Sequence, residues 1–315
     1  MIALSRFDKA RAMSPQEEQE IKSAVALIPA LAAQSGVTKR LGGLTNRVYA
    51  VGTLVLRIPG KGTEDYINRS HEMIMAQEAA KAGVSPAVIF CDAASGIMVT
   101  ERIADATTLS PAGFSTIPGA VERAAEALRK LHCSGAQFPS RFDLFAMIDG
   151  YLKIIGSKDV ALPDGYDDVV QEAQTLRGVL DKNAIALVPC HCDPLCENFL
   201  DTGKRMWIVD WEYGGMNDPM WDLGDLSVEG HFSPTQDEAL LQAYFGERAT
   251  AQEHGRMVIY KAMCDLLWTL WGLVQHANGN PADDFQAYAE NRFSRCKALM
   301  ATTQFATHVK AVTGD

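Results

Sequence analysis

The sequence lacks several features that would place it in a specialised class of protein. None of its apolar runs is one that we expect to cross a bilayer, and the first eight residues contain no apolar core of the kind found in a signal peptide. It also contains no internal repeat, low-complexity tract or flexible linker. We therefore expect a globular cytoplasmic protein with no membrane partner.

Basic residues and paired cysteines are scarce as well. The 29 Lys and Arg residues are outnumbered by 39 Asp and Glu residues, and the resulting net charge of −10 argues against a nucleic-acid partner. Seven cysteines, an odd number in 315 residues, do not indicate a disulfide framework. Cys190, Cys192 and Cys196 lack the usual Cys-x2-Cys spacing of a zinc site, so we expect no thiol-bound metal. An acidic protein suits a small cationic substrate.

The residues with the clearest chemistry lie in His191–Phe199 and in the Ile208–Glu212 segment that follows. His191 and Asp193 are followed by Asn198 in the pattern His-x-Asp-x4-Asn, which is typical of the catalytic loop of kinase-type phosphotransferases. In this pattern the aspartate accepts a proton from the substrate hydroxyl, so Asp193 is the candidate catalytic residue.

A second acid follows at a spacing that favours the same function. Apolar runs at 184–188 and 206–209 surround the turn signal Asp201–Lys204, which predicts two strands that bring Asp193, Asn198 and Asp210 together. Carboxylate and amide oxygens are suitable ligands for Mg²⁺, so we predict a metal site formed by three residues: Asn198, Asp210 and Glu212. The alternative is a solvated loop and a hairpin with surface acids.

The N-terminal third predicts a strand-rich nucleotide site. Strands are expected at 37–41, 47–51, 54–58, 87–91 and 97–102, with a glycine-containing loop after the first, although an ordinary turn would look similar. Arg57 interrupts an apolar strand, and the helix expected over 66–82 offers Glu72 as its partner, with Glu78 as the competitor. Arg57 could instead face solvent from an edge strand. The full set of candidate ATP-binding residues is Gly42, Gly43, Thr45, Asn46, Arg57, Glu72, Glu101 and Ile103.

The character of the sequence changes after the strands. A first helix is signalled by Ser14, Pro15 and Glu17, and amphipathic helices dominate from residue 105 onward, at 121–132, 144–155, 166–181, 222–229, 234–245, 256–274 and 285–300. We therefore predict an α+β fold with two lobes, an N-lobe at 1–103 and a helical C-lobe at 104–315. His132 ends an apolar helix face and is expected to pack rather than to catalyse.

These motifs together resemble the choline/ethanolamine kinase family, which is related to the aminoglycoside phosphotransferases and has a protein-kinase-like fold. The resemblance runs from about residue 41 to 293 and includes Gly42–Asn46, Leu56–Gly60, Asn68–Glu72, the two catalytic segments and Trp268-x-x-Trp271. It implies ATP and Mg²⁺ as cofactors. Unusual residues between Asp193 and Asn198 leave the identity of the alcohol open.

The resemblance also implies a pocket for a cationic alcohol. A quaternary ammonium is bound by aromatic faces and nearby carboxylates, and Trp268 and Trp271 share one helix face. From their spacing alone, core packing is the favoured explanation of these tryptophans, and it is the family resemblance that favours the pocket. The candidate substrate-binding residues are Asp193, Tyr213, Trp221, Glu229, Trp268, Trp271 and Tyr288.

The sequence thus predicts an ATP-dependent kinase that phosphorylates the hydroxyl of a small amino alcohol, with choline as the first choice and phosphocholine as its product. Ethanolamine, thiamine, an aminoglycoside or another small alcohol are alternative substrates, and a pseudokinase-type binding module is the alternative from another class. Whether the chain forms a homodimer is left open.

Overall fold

The computed structural model describes residues 13–35, 38–42, 46–60, 67–280 and 283–314. In chain order its helices are α1 Pro15–Leu27, α2 Pro29–Ala32, α3 Arg69–Lys81, α4 Pro111–Thr116, α5 Ala120–His132, α6 Leu144–Ile155, α7 Tyr166–Lys182, α8 Pro219–Glu229, α9 Pro234–Phe245, α10 Ala251–Ala277, α11 Phe285–Met300 and α12 Thr303–Thr313. Its strands are β1 Lys39–Gly42, β2 Arg47–Val51, β3 Leu54–Ile58, β4 Val88–Asp92, β5 Ile97–Glu101, β6 Thr107–Thr108, β7 Val188–Cys190, β8 Phe199–Asp201, β9 Met206–Ile208 and β10 Gly215–Asn217.

The first strands form an antiparallel five-stranded sheet with the order β1-β2-β3-β5-β4. Helix α1 covers this sheet, as predicted, and begins with the expected capping box of Ser14 and Glu17. The Tyr49 hydroxyl donates to Glu17 at 3.2 Å, which fixes the helix to the middle of β2. A separate apolar core joins helix and sheet, and its fully or nearly buried members include Leu31, Tyr49, Leu56 and Val99.

The larger part of the described chain is helical and is built around α10. This helix packs against α6, α8, α11 and α12. It is long and apolar enough by composition to cross a membrane, contrary to the expectation that no segment would be, yet 89% of its most apolar window is buried inside the protein. Gly224 lets α8 approach closely, because a Cβ there would lie 2.9 Å from the Met257 carbonyl oxygen of α10.

Three short strand pairs lie between the sheet and the helices. The predicted turn at 201–204 and the strand after it are confirmed, but the hairpin is formed by β9 with β8, which had not been predicted; β6 pairs with β8 on its other edge. The strand predicted at 184–188 is wrong in position: β7 covers only Val188–Cys190 and pairs with β10. Ile185 and Leu187 are exposed, so the apolar run before β7 is not part of a sheet. Helices α4 and α12 and strands β6 and β10 had not been predicted.

Candidate active site

The loop after β7 is held in place by the buried side chain of Asp222. Its Oδ2 accepts the N–H of His191 at 2.7 Å, and its Oδ1 accepts the N–H of Cys192 at 2.8 Å. His132 also binds Asp222, at 3.0 Å, and Tyr244 at 2.9 Å, so its predicted packing role is confirmed. Cys192 has φ +66°, which is unusual for a residue with a side chain, and the two hydrogen bonds to Asp222 stabilise that conformation.

The same loop is tied to the segment that carries the second acid. The His191 ring lies 2.9 Å from the Val209 carbonyl oxygen, and the Val209 N–H donates to the Asn198 carbonyl at 3.0 Å. The Asn198 side chain donates to the Asp193 carbonyl oxygen at 3.0 Å. Asp210 follows with φ +71°. The structure therefore brings the predicted residues Asp193, Asn198 and Asp210 to one place.

Asp193 is placed where its carboxyl group holds a proton more strongly than usual. Burial by the surrounding chain, and then the negative charges of Glu229 and Glu212, raise its pKa from 3.8 to about 7, although Arg292 acts in the opposite direction. A carboxylate with a pKa near neutrality is suited to accept a proton from an alcohol and to release it again.

Asp210 shares its surroundings with two further acids. Oxygen atoms of Glu72, Asp210 and Glu212 lie within 4.8 Å of one another, and the Asp210 side chain is 38% exposed. Desolvation within the cleft, followed by the charge of Glu212, raises the pKa of the Asp210 carboxyl group well above its usual value.

Two arginines neutralise two of these three acids. Arg57 binds Glu72 through both terminal nitrogens and lies 3.3 Å from Glu212 Oε1. Arg69 binds Glu72 at 2.8 Å and also binds Glu212. Asp210 lies 3.9 Å from Arg57, so it remains the least compensated and most exposed carboxylate of the three. Of the predicted metal residues, Asn198 and Asp210 therefore offer hard oxygen donors that fit Mg²⁺, with Asp210 the more exposed of the two, whereas Glu212 is engaged by both arginines.

The pairing of Arg57 agrees with the prediction from sequence. The Arg57 side chain is 11% exposed and its partner is Glu72 of α3, whereas Glu78 binds Lys81. Burial would lower the pKa of the guanidinium group, but Glu72, Asp210 and Glu212 together raise it above its usual value. Arg57 therefore remains charged beside the acids.

The other predicted nucleotide residues that the structure describes lie at or next to strand ends of the small sheet. Gly42 ends β1 at an irregular pairing with β2, and the Asn46 side chain donates to Glu212 at 2.9 Å. The Glu101 N–H donates to the Ala87 carbonyl, so this N–H is engaged within the sheet, and Ile103 follows just after β5. Gly43 and Thr45 lie outside the described residues.

Four of the predicted substrate residues form a row of aromatic rings. Tyr213 contacts Trp268, Trp268 contacts Trp271 and Trp271 contacts Tyr288, with ring centroids 5.8–6.3 Å apart and nearly perpendicular planes. Trp268 is 8% exposed and Trp271 is half-buried. Such a row offers ring faces and edges to an organic cation.

The structure does not support Trp221 as a substrate-binding residue. It is fully buried, its ring packs against Phe142 and Tyr260, and its indole N–H donates to the Cys192 carbonyl at 3.1 Å. The reason is its position on α8, which directs the indole beneath the catalytic loop. Trp221 therefore supports the loop from below.

Arg292, which was not among the predicted site residues, connects Glu229 to the row of aromatic rings. Arg292 lies 2.6 Å from Glu229, 3.3 Å from Asp265 and 5.1 Å from the centre of the Tyr288 ring. Phe285 packs against Trp271 and was also missed. An arginine one helical turn after Tyr288, on a helix with buried apolar positions, is the signal that could have identified Arg292.

Comparison with known proteins places this geometry in a family. The model of the phosphotransferase enzyme family matches residues 36–254. A solved choline/ethanolamine kinase family protein from Mesorhizobium loti is 61% identical, has a TM-score of 0.91, and the match covers 95% of this chain and 99% of that one. The chain belongs to the choline/ethanolamine kinase family. It is therefore an enzyme of the phosphotransferase class with a bilobal, protein-kinase-like fold, as the motifs predicted.

Two further structures share the fold of this family member. Choline kinase LicA from Streptococcus pneumoniae is 28% identical, with a TM-score of 0.75 and coverage of 91% of this chain and 99% of LicA. A structure of LicA in complex with AMP is 26% identical, with a TM-score of 0.71 and coverage of 92% of this chain and 99% of the other. The predicted use of an adenine nucleotide agrees with this family.

Proposed function

We propose that this chain transfers the γ-phosphoryl group of ATP to the hydroxyl of choline. The observation that carries the proposal is the convergence of Asp193, Asn198 and Asp210 beside the Arg57–Glu72 pair, with a row of aromatic rings on the substrate side. The resemblance to choline kinase LicA supports choline as the alcohol.

Each group has a separate task in this reaction. The Asp193 carboxylate accepts a hydrogen bond from the alcohol hydroxyl, orients its oxygen towards the γ-phosphorus and takes its proton as the new bond forms. Arg57, held by Glu72, binds the phosphates of ATP. Asn198 and Asp210 would hold Mg²⁺, which would neutralise charge on the phosphates, and Glu212 keeps Arg57, Arg69 and Asn46 in place around them.

The substrate side is suited to a cation without N–H groups. Tyr213, Trp268, Trp271 and Tyr288 provide the aromatic surface, and Glu229 provides negative charge nearby. Positioning and charge neutralisation account for the rate, because phosphoryl transfer asks for little covalent participation by the protein.

The direct test is product formation by the purified protein. Incubation with choline, ATP and Mg²⁺ is expected to give equal amounts of phosphocholine and ADP, measured by phosphorus NMR and mass spectrometry. Asp193→Asn removes the base while keeping the side-chain size, and it should abolish product. Asp181→Asn, on the exposed end of α7, is the matched control and should retain full activity.

A panel of alcohols separates the remaining candidates. Ethanolamine, thiamine and an aminoglycoside are compared with choline by kcat/KM at fixed ATP. Phosphorylation of one of these in preference to choline would replace choline as the substrate, whereas the absence of any ATP turnover would favour a pseudokinase.

Three further assignments accompany the proposal. We place the boundary between the lobes at residues 103 and 104, between β5 and β6, because β6 pairs with β8 of the catalytic hairpin. We place the protein in the cytoplasm, where ATP is available. Whether two copies associate is a separate question that gel filtration answers.

A further inference from the structure

The buried carboxylate of Asp225 lies beside the proposed alcohol-binding residues and forms no ion pair among the described residues. Asp225 lies on α8, is 0% exposed, and receives one hydrogen bond, from the Cys264 thiol, whose sulfur lies 3.2 Å from Oδ1. Its other oxygen, Oδ2, is buried and has no hydrogen-bond partner among the described residues. A buried acid that lacks a partner is costly, so this group requires either a proton or a ligand of opposite charge.

The neighbours of Asp225 do not supply that charge. Oxygen atoms of Asp225 and Glu229 and the Cys264 sulfur lie within 4.8 Å of one another. Glu229 Oε1 lies 2.6 Å from Arg292 but accepts no well-aligned hydrogen bond. Two carboxylate oxygens of this buried cluster, Asp225 Oδ2 and Glu229 Oε1, therefore lack a hydrogen-bond donor among the described residues.

The cluster also carries more acids than cations. Three carboxylates, Asp225, Glu229 and Asp265, face two guanidinium groups, Arg292 and Arg295. Arg292 is shared between Glu229 and Asp265, and Arg295 binds Asp265. If all five groups are charged, one negative charge remains, and Asp225 is the acid without an ion pair among the described residues.

This excess negative charge lies next to the residues that we propose to bind the alcohol. Arg292 lies over the Tyr288 ring, which contacts Trp271, and Glu229 is one helical turn from Asp225 on α8. Asp193 acts on the pKa of Asp225 as well. An organic cation held by the aromatic row thus enters the field of an uncompensated acid.

We propose that Asp225 is a specificity-determining carboxylate: it provides the charge that selects a cationic alcohol over a neutral one of the same shape, and it releases a proton when the cation binds. The inference rests on the proposed function, since it concerns the alcohol side of that site. In the free protein, burial and then the charges of Glu229 and Asp193 raise the pKa of the Asp225 carboxyl group well above its usual value, although Cys264 and Arg292 act in the opposite direction.

The groups that face Asp225 come from four parts of the chain. They are Glu229 on its own helix, Cys264 on α10, Arg292 on α11, and Cys192, Asp193 and Cys196 in the catalytic loop. Burial raises the pKa of the three thiols, so they remain neutral near pH 7. Asp225 is therefore the buried group of this cluster best placed to exchange its proton for a bound cation.

The test compares choline with 3,3-dimethyl-1-butanol, which has the same shape without the charge. We expect Asp225→Asn to raise KM for choline by about tenfold, as the loss of one nearby charge implies, and to leave KM for the neutral alcohol and for ATP within about twofold. The preference for the cation should fall by the same factor. Asp225→Glu should recover part of it.

Proton release gives a readout that a purely structural role would not change. Titration calorimetry of choline binding in buffers of different ionisation enthalpy should show protons leaving the wild-type protein near pH 7 and fewer leaving Asp225→Asn. Cys264→Ser, which keeps a donor beside Oδ1, is the control and should release protons like the wild type.

The outcomes separate this inference from the choline proposal. If choline is phosphorylated but Asp225→Asn keeps both the cation preference and the proton release, the inference is wrong and choline stands. If choline is not a substrate but another cationic alcohol is, and Asp225→Asn loses the preference for it, the inference stands without choline. A wild-type protein that neither binds nor phosphorylates a cationic alcohol overturns both. Should Asp225→Asn not fold, Asp225→Ser in the same assays decides, because a variant without the carboxylate that keeps both the cation preference and the proton release opposes the inference.

Discussion

The Asp222 side chain offers the sharpest test of how the catalytic loop is held. This buried carboxylate accepts the N–H groups of His191 and Cys192 at 2.7 and 2.8 Å and contacts His132 at 3.0 Å. Asp222→Asn keeps the shape but replaces one acceptor oxygen with an NH₂ group. Whichever oxygen is replaced, a buried donor of the loop then faces another donor.

The magnitude follows from the number of bonds affected. A hydrogen bond to a charged group contributes about 1.5–3 kcal/mol, and a buried donor left without an acceptor adds a cost of similar size. We therefore expect Asp222→Asn to lower the free energy of unfolding by about 2–4 kcal/mol. Because Cys192 holds φ +66° and directly precedes Asp193, relaxation of the loop should misplace the catalytic carboxylate and lower kcat by about a hundredfold.

The assay measures stability and catalysis on the same preparations. Urea unfolding followed by tryptophan fluorescence gives the free energy, and kcat is measured at a temperature at which every variant is folded. Asp237→Asn is the matched control, since Asp237 is also buried but binds Ser227 and Lys261 rather than the loop backbone. It should lose stability and keep kcat within about twofold. A normal kcat in Asp222→Asn, or an equal loss in both variants, would refute the reasoning.

The remaining predictions concern the pH dependence of activity and stability, the binding of ATP, and the binding of the alcohol. Because the Asp193 pKa is raised to about 7, its base form is lost as pH falls, so kcat/KM for the alcohol should drop about tenfold per unit below pH 7, and a profile flat to pH 5 would contradict this. The folded state also holds this proton up to about pH 7, whereas the unfolded state releases it near pH 4. The contribution of Asp193 to the free energy of unfolding should therefore diminish as pH rises from about 4 to about 7. Arg57→Ala should raise KM for ATP by about tenfold or more. Glu72→Gln, which weakens the hold on Arg57, should raise it less. An unchanged KM for ATP in both variants would exclude Arg57 as a phosphate-binding residue. Trp271→Ala should raise KM for choline more than for ethanolamine, and Trp271→Phe, which keeps a ring beside Trp268, should recover part of the loss; equal effects on the two alcohols would indicate packing alone.

The sequence by itself determined the candidate catalytic groups and most of the elements that carry them. The spacing of Asp193 and Asn198, followed by a hairpin turn and Asp210, was enough to predict one site, because a tight hairpin leaves few ways to arrange its ends. The charge of Arg57 in an apolar strand likewise predicted its partner Glu72, since a buried charge needs an opposite one nearby. The helices 144–155, 234–245 and 285–300 were predicted to the residue, because their caps and apolar spacing are local signals.

Only the tertiary structure decided which aromatic and acidic side chains line the proposed alcohol pocket and which pack beneath it. Trp221 and Trp268 look alike in sequence, yet the packing of α8 buries Trp221 against the backbone of the catalytic loop, while α10 brings Trp268 to the aromatic row. The shared use of Arg292 by Glu229 and Asp265, which leaves Asp225 without a cation, depends on the contact of α8, α10 and α11. Such pairings join residues far apart in the chain, and local spacing carries no information about them, because they are set by how helices pack against one another.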